Sequence, residues 1–556
     1  MIDVARMINN IVIHDASQGR WLHFHGPKQI IAAHRVEEII PVLNVIEEIV
    51  QQHSLYAAGF IAYEAAPAFD AALAVKQDSS FPLVWFGLYS RPDQLSLPIA
   101  LGTHTASLSW SPSLAPSAYQ DAIDRIKNYI EAGDTYQVNF TVRLKSPFRI
   151  DPWPYFIELA HAQDASYGAF VNTEAWCICS ASPELFFRLD GTELISRPMK
   201  GTAPRGLMLS DDQGQAAWLH SSEKNRAENV MIVDMVRNDM GRIAEAGSVH
   251  VSNLYEVEKY PTLWQMTSTV RAKTNAGLCK ILQALFPPAS ITGTPKPRTM
   301  QIIAELEQTP RRIYTGSIGF ISPDCKAQFN VAIRTVLVDK VQGQAEYGVG
   351  GGIVWDSVDQ MEFEECRTKA RIITHGMPDF ALLETILWTP EEGYFLLPYH
   401  LTRLRDSAAY FSFPADVGAI GDRLDALTHI LPPIAHKVRL LMAKDGGITC
   451  DAEPLGGAPI APQPRVCLAL APIDSGNHFL YHKTTNRVVY EQALAGCPGY
   501  ADVILWNEKG EVTESCIANI VVELDGELYT PPIRCGLLPG TYRASLLEQG
   551  KVRERV

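Results

Sequence analysis

The sequence predicts an α+β chain in two parts, a large first part and a smaller second one. Three observations carry this. The chain has 556 residues, too many for one ordinary hydrophobic core. Apolar runs of strand length are interleaved with segments of helical period. Near His375-Gly376-Met377-Pro378 the character of the sequence changes, which puts a boundary between residues 1–377 and 378–556. The composition is that of a globular protein, 47% hydrophobic and 20% charged. A formal net charge of -14 argues against a nucleic-acid partner. The start, Met1-Ile2-Asp3-Val4-Ala5-Arg6, has no basic stretch leading into an apolar one, and no apolar run reaches spanning length. Neither a secretion signal nor a membrane is therefore expected. Ten scattered cysteines, with only Cys177 and Cys179 close together, read as reduced, mostly buried thiols of a cytoplasmic protein.

Taken in order, residues 36–50 have helical period, while 57–64 and 83–89 read as buried strands. The Ser/Pro-rich stretch 107–117 is a loop. Residues 118–132 form an amphipathic helix, with Tyr119, Ile123, Ile126 and Ile130 on one stripe and Gly133 as its stop. The alternating run 134–142 is a strand that carries Gln137, a side chain able to donate and accept hydrogen bonds but not to act as a base. Residues 185–189 and 193–195 make a hairpin around Asp190-Gly191, preceded by Glu184.

Ser196-Arg197-Pro198-Met199-Lys200-Gly201-Thr202 follows. Pro198 fixes one backbone angle before Lys200, and Gly201 permits a tight turn after it. Lys200 is therefore expected on a stiff, exposed bend. A lysine amine becomes nucleophilic only when burial or a cationic neighbour lowers its pKa, and Arg197 and Arg205 are near in sequence. A solvated turn lysine is the plain alternative. Residues 222–241 read as one helix carrying Glu228, and 286–297 as a Pro/Gly-rich loop followed by a helix at 297–307. Strands resume at 314–321, 327–339 and 345–354. The last contains Gly350-Gly351-Gly352, where a ligand comes close to bare amides or the strand bulges. On the helix after it, Glu362 and Glu365 share a face and Lys369 lies one turn beyond, as a metal-binding pair or as a solvated face. In the second part a strand at 382–388 precedes a helix at 400–411 with Arg403 and Arg405 on its polar side. Lys483, Glu514 and the run Gly536 to Arg543 come later.

Together, in this order, Arg197 to Thr202, Arg226-Ala227-Glu228-Asn229 with Asp234 and Arg237-Asn238-Asp239, Ser290-Ile291-Thr292-Gly293, the glycine triplet and Glu362 to Lys369 resemble the chorismate-utilising enzymes. That family includes the anthranilate synthases and the aminodeoxychorismate synthases. The resemblance covers about 118–375, with residues 1–110 matching loosely. It implies a large α/β sandwich of antiparallel sheets with flanking helices. The lysine of the Pro-x-Lys-Gly-Thr stretch marks the aminodeoxychorismate synthases, so Lys200 is implied as a nucleophile toward the ring, with Glu184 a second catalytic residue. Gln137 stands where water-using relatives have a lysine base, which supports ammonia as the incoming group. The resemblance further implies magnesium on Glu228 and Glu365 with Glu362 outside them. It implies substrate contacts from Gln137, Gly201, Thr202, Tyr314, Arg334, Lys369 and the amides of Gly350, Gly351 and Gly352. This chain departs from the family at Asn225, where an acid is common, and at Gln265, where several relatives have histidine.

Residues 380–556 resemble the fold-type IV pyridoxal-phosphate enzymes, aminodeoxychorismate lyase among them. His400 to Leu404, Lys483 with Asn486-Arg487, Thr513-Glu514 with Ala518-Asn519, and Gly536 to Arg543 carry the likeness. It implies a smaller α+β domain in which Lys483 attaches the cofactor, Glu514 meets the pyridine nitrogen, and Arg403, Gly540 and Thr541 hold the phosphate. Relatives continue for several dozen residues past this point, so the lyase-like domain is expected to be incomplete. The implied function is conversion of chorismate and ammonia to 4-amino-4-deoxychorismate, then pyruvate elimination to 4-aminobenzoate. No glutaminase motif is visible, so ammonia is expected from a separate amidotransferase subunit. Left open are an anthranilate synthase component with a non-catalytic C-terminal domain and a regulatory chorismate binder. The intact set of Lys200, Glu228 and Glu365 disfavours the latter.

Overall fold

The computed structural model describes residues 7–98, 108–374, 378–456 and 465–556. The Met1–Arg6 start and the His375–Met377 junction lie outside the described residues. The described chain forms two compact units. The first is made from the described residues of Met1–Pro204 and Trp218–Met377, the second from Arg205–Ala217 and the described residues of Pro378–Val556.

The first unit is built on two antiparallel sheets of ten described strands each. One runs Gly293–Thr294, Gln137–Pro147, Gln344–Ile353, Thr335–Asp339, Trp176–Ser180, Ala169–Asn172, Asn10–Asp15, Arg20–Phe24 and Asp93–Leu95, with Ser111–Pro112 beside Gln137–Pro147. The other begins Met199–Pro204, Leu263–Lys273, Glu193–Arg197, Leu185–Asp190, Lys326–Asn330 and Ser317–Ser322, and continues through Tyr56–Ile61 and Val84–Tyr89 to Gln29–Ala33, with His250–Lys259 beside Leu263–Lys273. Ile11, Ile13, Phe60, Trp85, Ile178, Phe320 and Leu337, contributed by both sheets, share one buried core. The outer face of the second sheet is covered by the helices Val36–His53, Glu223–Gly241 and Leu278–Leu285. Pro116–Glu131, Pro152–Gln163, Lys296–Leu306 and Asp359–Thr374 cover the first. Sheets buried on both faces explain why Val84–Tyr89 reads as a continuous apolar run and why it and Trp176–Ser180 are buried throughout.

In the second unit Leu382–Thr389, His436–Met442 and Ile448–Pro454 pair in series, with Gly393–Tyr394 at one edge. They pack against Leu397–Phe411 and Val417–Thr428. Two three-stranded sheets follow, one of them with the parallel pair Val466–Leu468 and Asp502–Trp506. The segment 205–217 is part of this unit: Leu207 and Met208 pack against the core around Leu480, Tyr481 and Val503, and Tyr410 donates to the Gly206 carbonyl at 2.7 Å. A division at 377/378 alone misses this.

Three local expectations need correction. The 327–339 stretch is two strands broken at residues 331–334, where Arg334 adopts a positive φ of 50°. Gly350 to Gly352 lie in unbroken register opposite Thr141, Phe140 and Asn139, so the triplet is not a bulge. Arg403 faces inward, not to the polar side of its helix, because the buried Glu384 holds it there.

Candidate active site

The chain places its first set of candidates around one cavity of about 510 Å³ in the first unit. Lys200 is not on an exposed bend. It lies in the strand Met199–Pro204, inside a register shift: Met199 pairs with Thr267 and Thr202 with Gln265, so Lys200 and Gly201 together oppose Met266 alone. Gly201 takes a φ of 96°, and a Cβ there would come within 3.2 Å of Asn225. Burial lowers the pKa of the Lys200 amine and Lys369 lowers it further, while Glu228, Glu365 and Glu184 oppose the change. The cationic neighbour is therefore Lys369. Arg197 pairs with Glu256 and Glu258, and Arg205 with Asp212 in the second unit.

Gly352 lets two groups meet. A Cβ on it would lie 2.0 Å from Gln137 Nε2 and 2.6 Å from Lys200 Nζ. Gln137 is 1% exposed, and neither polar atom of its side chain has a hydrogen-bond partner among the described residues. A buried amide without partners is costly, and it stands beside the candidate nucleophile. Beyond Tyr347 the glycine-rich strand loses its partner Thr335–Asp339, and Gly348 to Gly352 line the cavity along the open edge. Lys369 donates to the Gly350 carbonyl at 2.8 Å and pairs with Glu365 at 2.7 Å. Arg334 and Tyr314 line the same cavity, Arg334 donating to Gln163 Oε1 at 2.7 Å. Amides, two cations and a phenol make a basic wall suited to carboxylates.

Glu184 is 3% exposed and accepts from Ser290 Oγ at 2.6 Å. Burial pushes its carboxyl up to about 7, against the pull of Ser290, the Met199 amide, Lys200 and Arg334. It thus carries a proton for much of the time at neutral pH. Glu228, Glu362 and Glu365 line the cavity, but among the described residues no three such groups are disposed to hold a metal ion. Glu365 is held down in pKa by Lys369, and Glu362, bonded by Ser357 Oγ at 2.7 Å, is raised by burial and by Glu365. Magnesium keeps most of its waters and needs only one or two carboxylates beside its substrate. Glu228 and Glu365 fit that requirement.

In the second unit Lys483, Glu514 and Arg403 form another polar cluster. Burial lowers the pKa of Lys483, with Arg403 adding to the effect. Glu514, raised to about 7 by burial, accepts from Tyr490 Oη at 2.8 Å and Asn519 Nδ2 at 3.1 Å. Arg403 donates to both oxygens of Glu384 and to the Pro539 carbonyl at 3.0 Å. Gly540 is the N-cap of the helix Thr541–Glu548, and a Cβ on it would collide with Asn519 Oδ1 at 1.8 Å. A half-buried amine, a buried carboxyl and an arginine beside a helix N-terminus fit the amine, ring and phosphate contacts of pyridoxal phosphate.

Several of these groups were not foreseen. Lys224 lines the cavity four residues before Glu228, a spacing that puts both on one helix face. Glu384, Tyr490, Ser290 as a partner of Glu184, and Asn229 as a partner of the Lys200 carbonyl have no such local signal.

The two-sheet sandwich of the first unit thus brings a lysine, several carboxylates and a glycine-rich basic wall together around one cavity. The chain belongs to the chorismate binding enzyme family, whose model it matches over residues 9–375, and residues 381–556 match the class IV amino-transferase model. It is 40% identical over 271 residues to aminodeoxychorismate synthase component 1 of Escherichia coli (strain K12), covering 48% of this chain and 59% of that protein. It is 37% identical over 279 residues to anthranilate synthase component 1 3 of Haloarcula marismortui, covering 50% and 55%. The chain thus spans less than two thirds of the length of these relatives. The crystal structure of anthranilate synthase component I from Streptococcus pneumoniae TIGR4 shares the fold at 23% identity and a TM-score of 0.56, covering 66% of this chain and 92% of that one. Among the described residues no helix is long and apolar enough to cross a membrane.

Proposed function

We propose that the first unit makes 4-amino-4-deoxychorismate from chorismate and ammonia, and that the second removes pyruvate from it to give 4-aminobenzoate, the precursor of folate. The observation that carries the first step is the Lys200 amine, lowered in pKa, in a cavity that also holds a carboxyl poised near 7. Lys200 Nζ attacks ring carbon 2, both ring double bonds shift, and the 4-hydroxyl leaves as water with a proton from Glu184. Ammonia then adds at carbon 4 and gives a proton back to the Glu184 carboxylate, the two double bonds shift back, and the lysine leaves as the free amine. Arg334, Lys369, Tyr314 and the glycine amides hold the two carboxylates, with Gly201 and Thr202 against the ring. Gln137, unable to take a proton, does not activate water and leaves ammonia as the entering group. Glu228 and Glu365 would hold magnesium with Glu362 outside them, and the ion would bind a substrate carboxylate and ease departure of the hydroxyl. Ammonia comes from a separate glutamine amidotransferase subunit. The ten free thiols suit a reducing compartment such as the cytoplasm.

In the second unit Lys483 would attach pyridoxal phosphate. Glu514 would hold a proton at the ring nitrogen, and Arg403 with the Gly540 and Thr541 amides would bind the phosphate. When bound, the cofactor supplies the electron sink for elimination. The test is incubation with chorismate, magnesium and ammonium, with and without pyridoxal phosphate. Aminodeoxychorismate without the cofactor and aminobenzoate with it are expected. Anthranilate as the product would overturn the reading of the first unit, and no aminobenzoate in either case that of the second.

A further inference from the structure

The carbonyls of Lys200 and Gly201 sit where the register shift removes their ladder partners. Buried carbonyls still need donors, and here two side-chain amides from different elements supply them. Asn229 Nδ2, on the helix that carries Glu228, donates to the Lys200 carbonyl at 3.2 Å. Gln265 Nε2, on the neighbouring strand, donates to the Gly201 carbonyl at 2.7 Å. Neither amide is free to flip. Ser268 Oγ donates to Asn229 Oδ1 at 2.6 Å and itself accepts from the Tyr255 amide at 3.1 Å. Thr202 Oγ1 donates to Gln265 Oε1 at 3.3 Å. Asn229 is 1% and Ser268 0% exposed.

We propose that Asn229, Ser268 and Gln265 are positioning residues for the Lys200 amine: they clamp the two carbonyls flanking its bulge and so fix where the amine meets the substrate ring. The proposal rests on reading Lys200 as the nucleophile. A misplacement of about 1 Å is enough to cost about 10²-fold in rate, and a bulge held by one side chain fewer has that freedom. Gln265 also lines the cavity beside this bulge. At this position the amide serves as a neutral donor to the backbone, a role that does not change with pH.

The experiment measures kcat and KM for chorismate, with ammonium and magnesium, in the wild type and four variants: Ser268→Ala, Gln265→Met, Lys200→Ala, and Ser268→Ala combined with Lys200→Ala. Ser268→Ala frees the Asn229 amide to rotate, and Gln265→Met keeps the unbranched shape but removes the donor. Each is expected to lower kcat by about 10²-fold with KM within about threefold. Ser268→Ala is expected to change nothing further once Lys200 is gone, because its effect passes through that amine. If one of the two single variants does not fold, the other carries the test. Lys200→Ala at the wild-type rate overturns the reading of Lys200 and this proposal with it. A slow Lys200→Ala beside wild-type kcat in Ser268→Ala or Gln265→Met overturns the positioning alone. So does Ser268→Ala slowing the Lys200→Ala background by the same factor as the wild type.

Discussion

Replacing Glu184 by glutamine tests the acid side of the proposed chemistry. The side chain is 3% exposed, and burial pushes its carboxyl up to about 7 even though Ser290 and Lys200 favour the charged form. A group with that pKa is about nine tenths protonated at pH 6, half at pH 7 and about one tenth at pH 8. Glutamine keeps the shape and can still accept from Ser290 Oγ, but it has no proton to give. At pH 6, kcat/KM should fall by about 10² to 10⁴-fold, the usual contribution of a general acid. That corresponds to roughly 3 to 5 kcal/mol of transition-state stabilisation. The pH dependence is the sharper readout. Ammonia titrates alike in both proteins and cancels in the ratio of wild-type to variant kcat/KM, taken after each rate is divided by its own fraction of free Lys200 amine, which Glu184 shifts. That ratio follows the protonated fraction of Glu184, so it should shrink about tenfold between pH 6 and pH 8. The assay is initial-rate formation of aminodeoxychorismate at a fixed free-ammonia concentration. A ratio that stays flat over this range, or a loss under about threefold at pH 6, would refute Glu184 as the proton donor.

Glu365→Gln should weaken magnesium binding by about tenfold or more, measured by calorimetry, since a neutral amide is a poor ligand for a hard cation; an unchanged isotherm would remove Glu365 from the site. Lys483→Ala should abolish the absorbance of protein-bound pyridoxal phosphate that survives gel filtration of the wild type, and a retained chromophore would show that another group anchors the cofactor. Glu64 is 3% exposed, raised to about 7 by burial and bonded by the Arg311 amide at 2.7 Å. Its folded pKa lies above the unfolded value, so the stability it contributes is full below about 4.5 and is lost as pH rises through about 7. Glu64→Gln should therefore gain about 3 kcal/mol over the wild type at pH 8 that is mostly absent at pH 5; equal melting differences at both pH values would contradict this.

The parts of the site that could be read from the sequence are those fixed by chain-local rules. Glu362, Glu365 and Lys369 fall on one helix face by spacing alone, and the 2.7 Å pair between the last two follows from it. The hairpin ahead of Lys200 is set by Asp190-Gly191, and the observed strands close around that turn. Gly350 to Gly352 announced a close approach, and the atoms that come close are those of Gln137, Lys200 and Phe140. What the sequence hides is the identity of long-range polar partners. Apolar periodicity reports which face of an element is buried, but it is blind to which distant side chain satisfies a given carbonyl or guanidinium. Arg403 has the spacing of a surface residue and is turned inward by Glu384, nineteen positions earlier on another element. The surroundings of Lys200 were misjudged for the same reason. Arg197 and Arg205 are near in sequence yet engaged elsewhere, while Lys369, 169 positions away, is the cation that lowers its pKa.

That difference bears on how the chemistry is divided within the first unit. Lys200, Gly201, Thr202, the glycine triplet and Lys369, proposed to touch substrate, come from short motifs, each of which brings its own local geometry: a bulge, a glycine edge, a helix face. The residues that hold the Lys200 motif in place come in part from outside any motif: Gln265 donates to the Gly201 carbonyl, and Ser268 fixes the Asn229 amide on the Lys200 carbonyl. Substituting a reacting group should cost turnover by orders of magnitude. Substituting a supporting one leaves every reacting group in place but lets it drift or titrate differently, so its loss should appear in kcat or in the pH profile before it appears in chorismate affinity. A chain that keeps all the motifs and exchanges only the supporting residues would then bind the same substrate and turn it over slowly. This is why the motifs alone do not fix the rate.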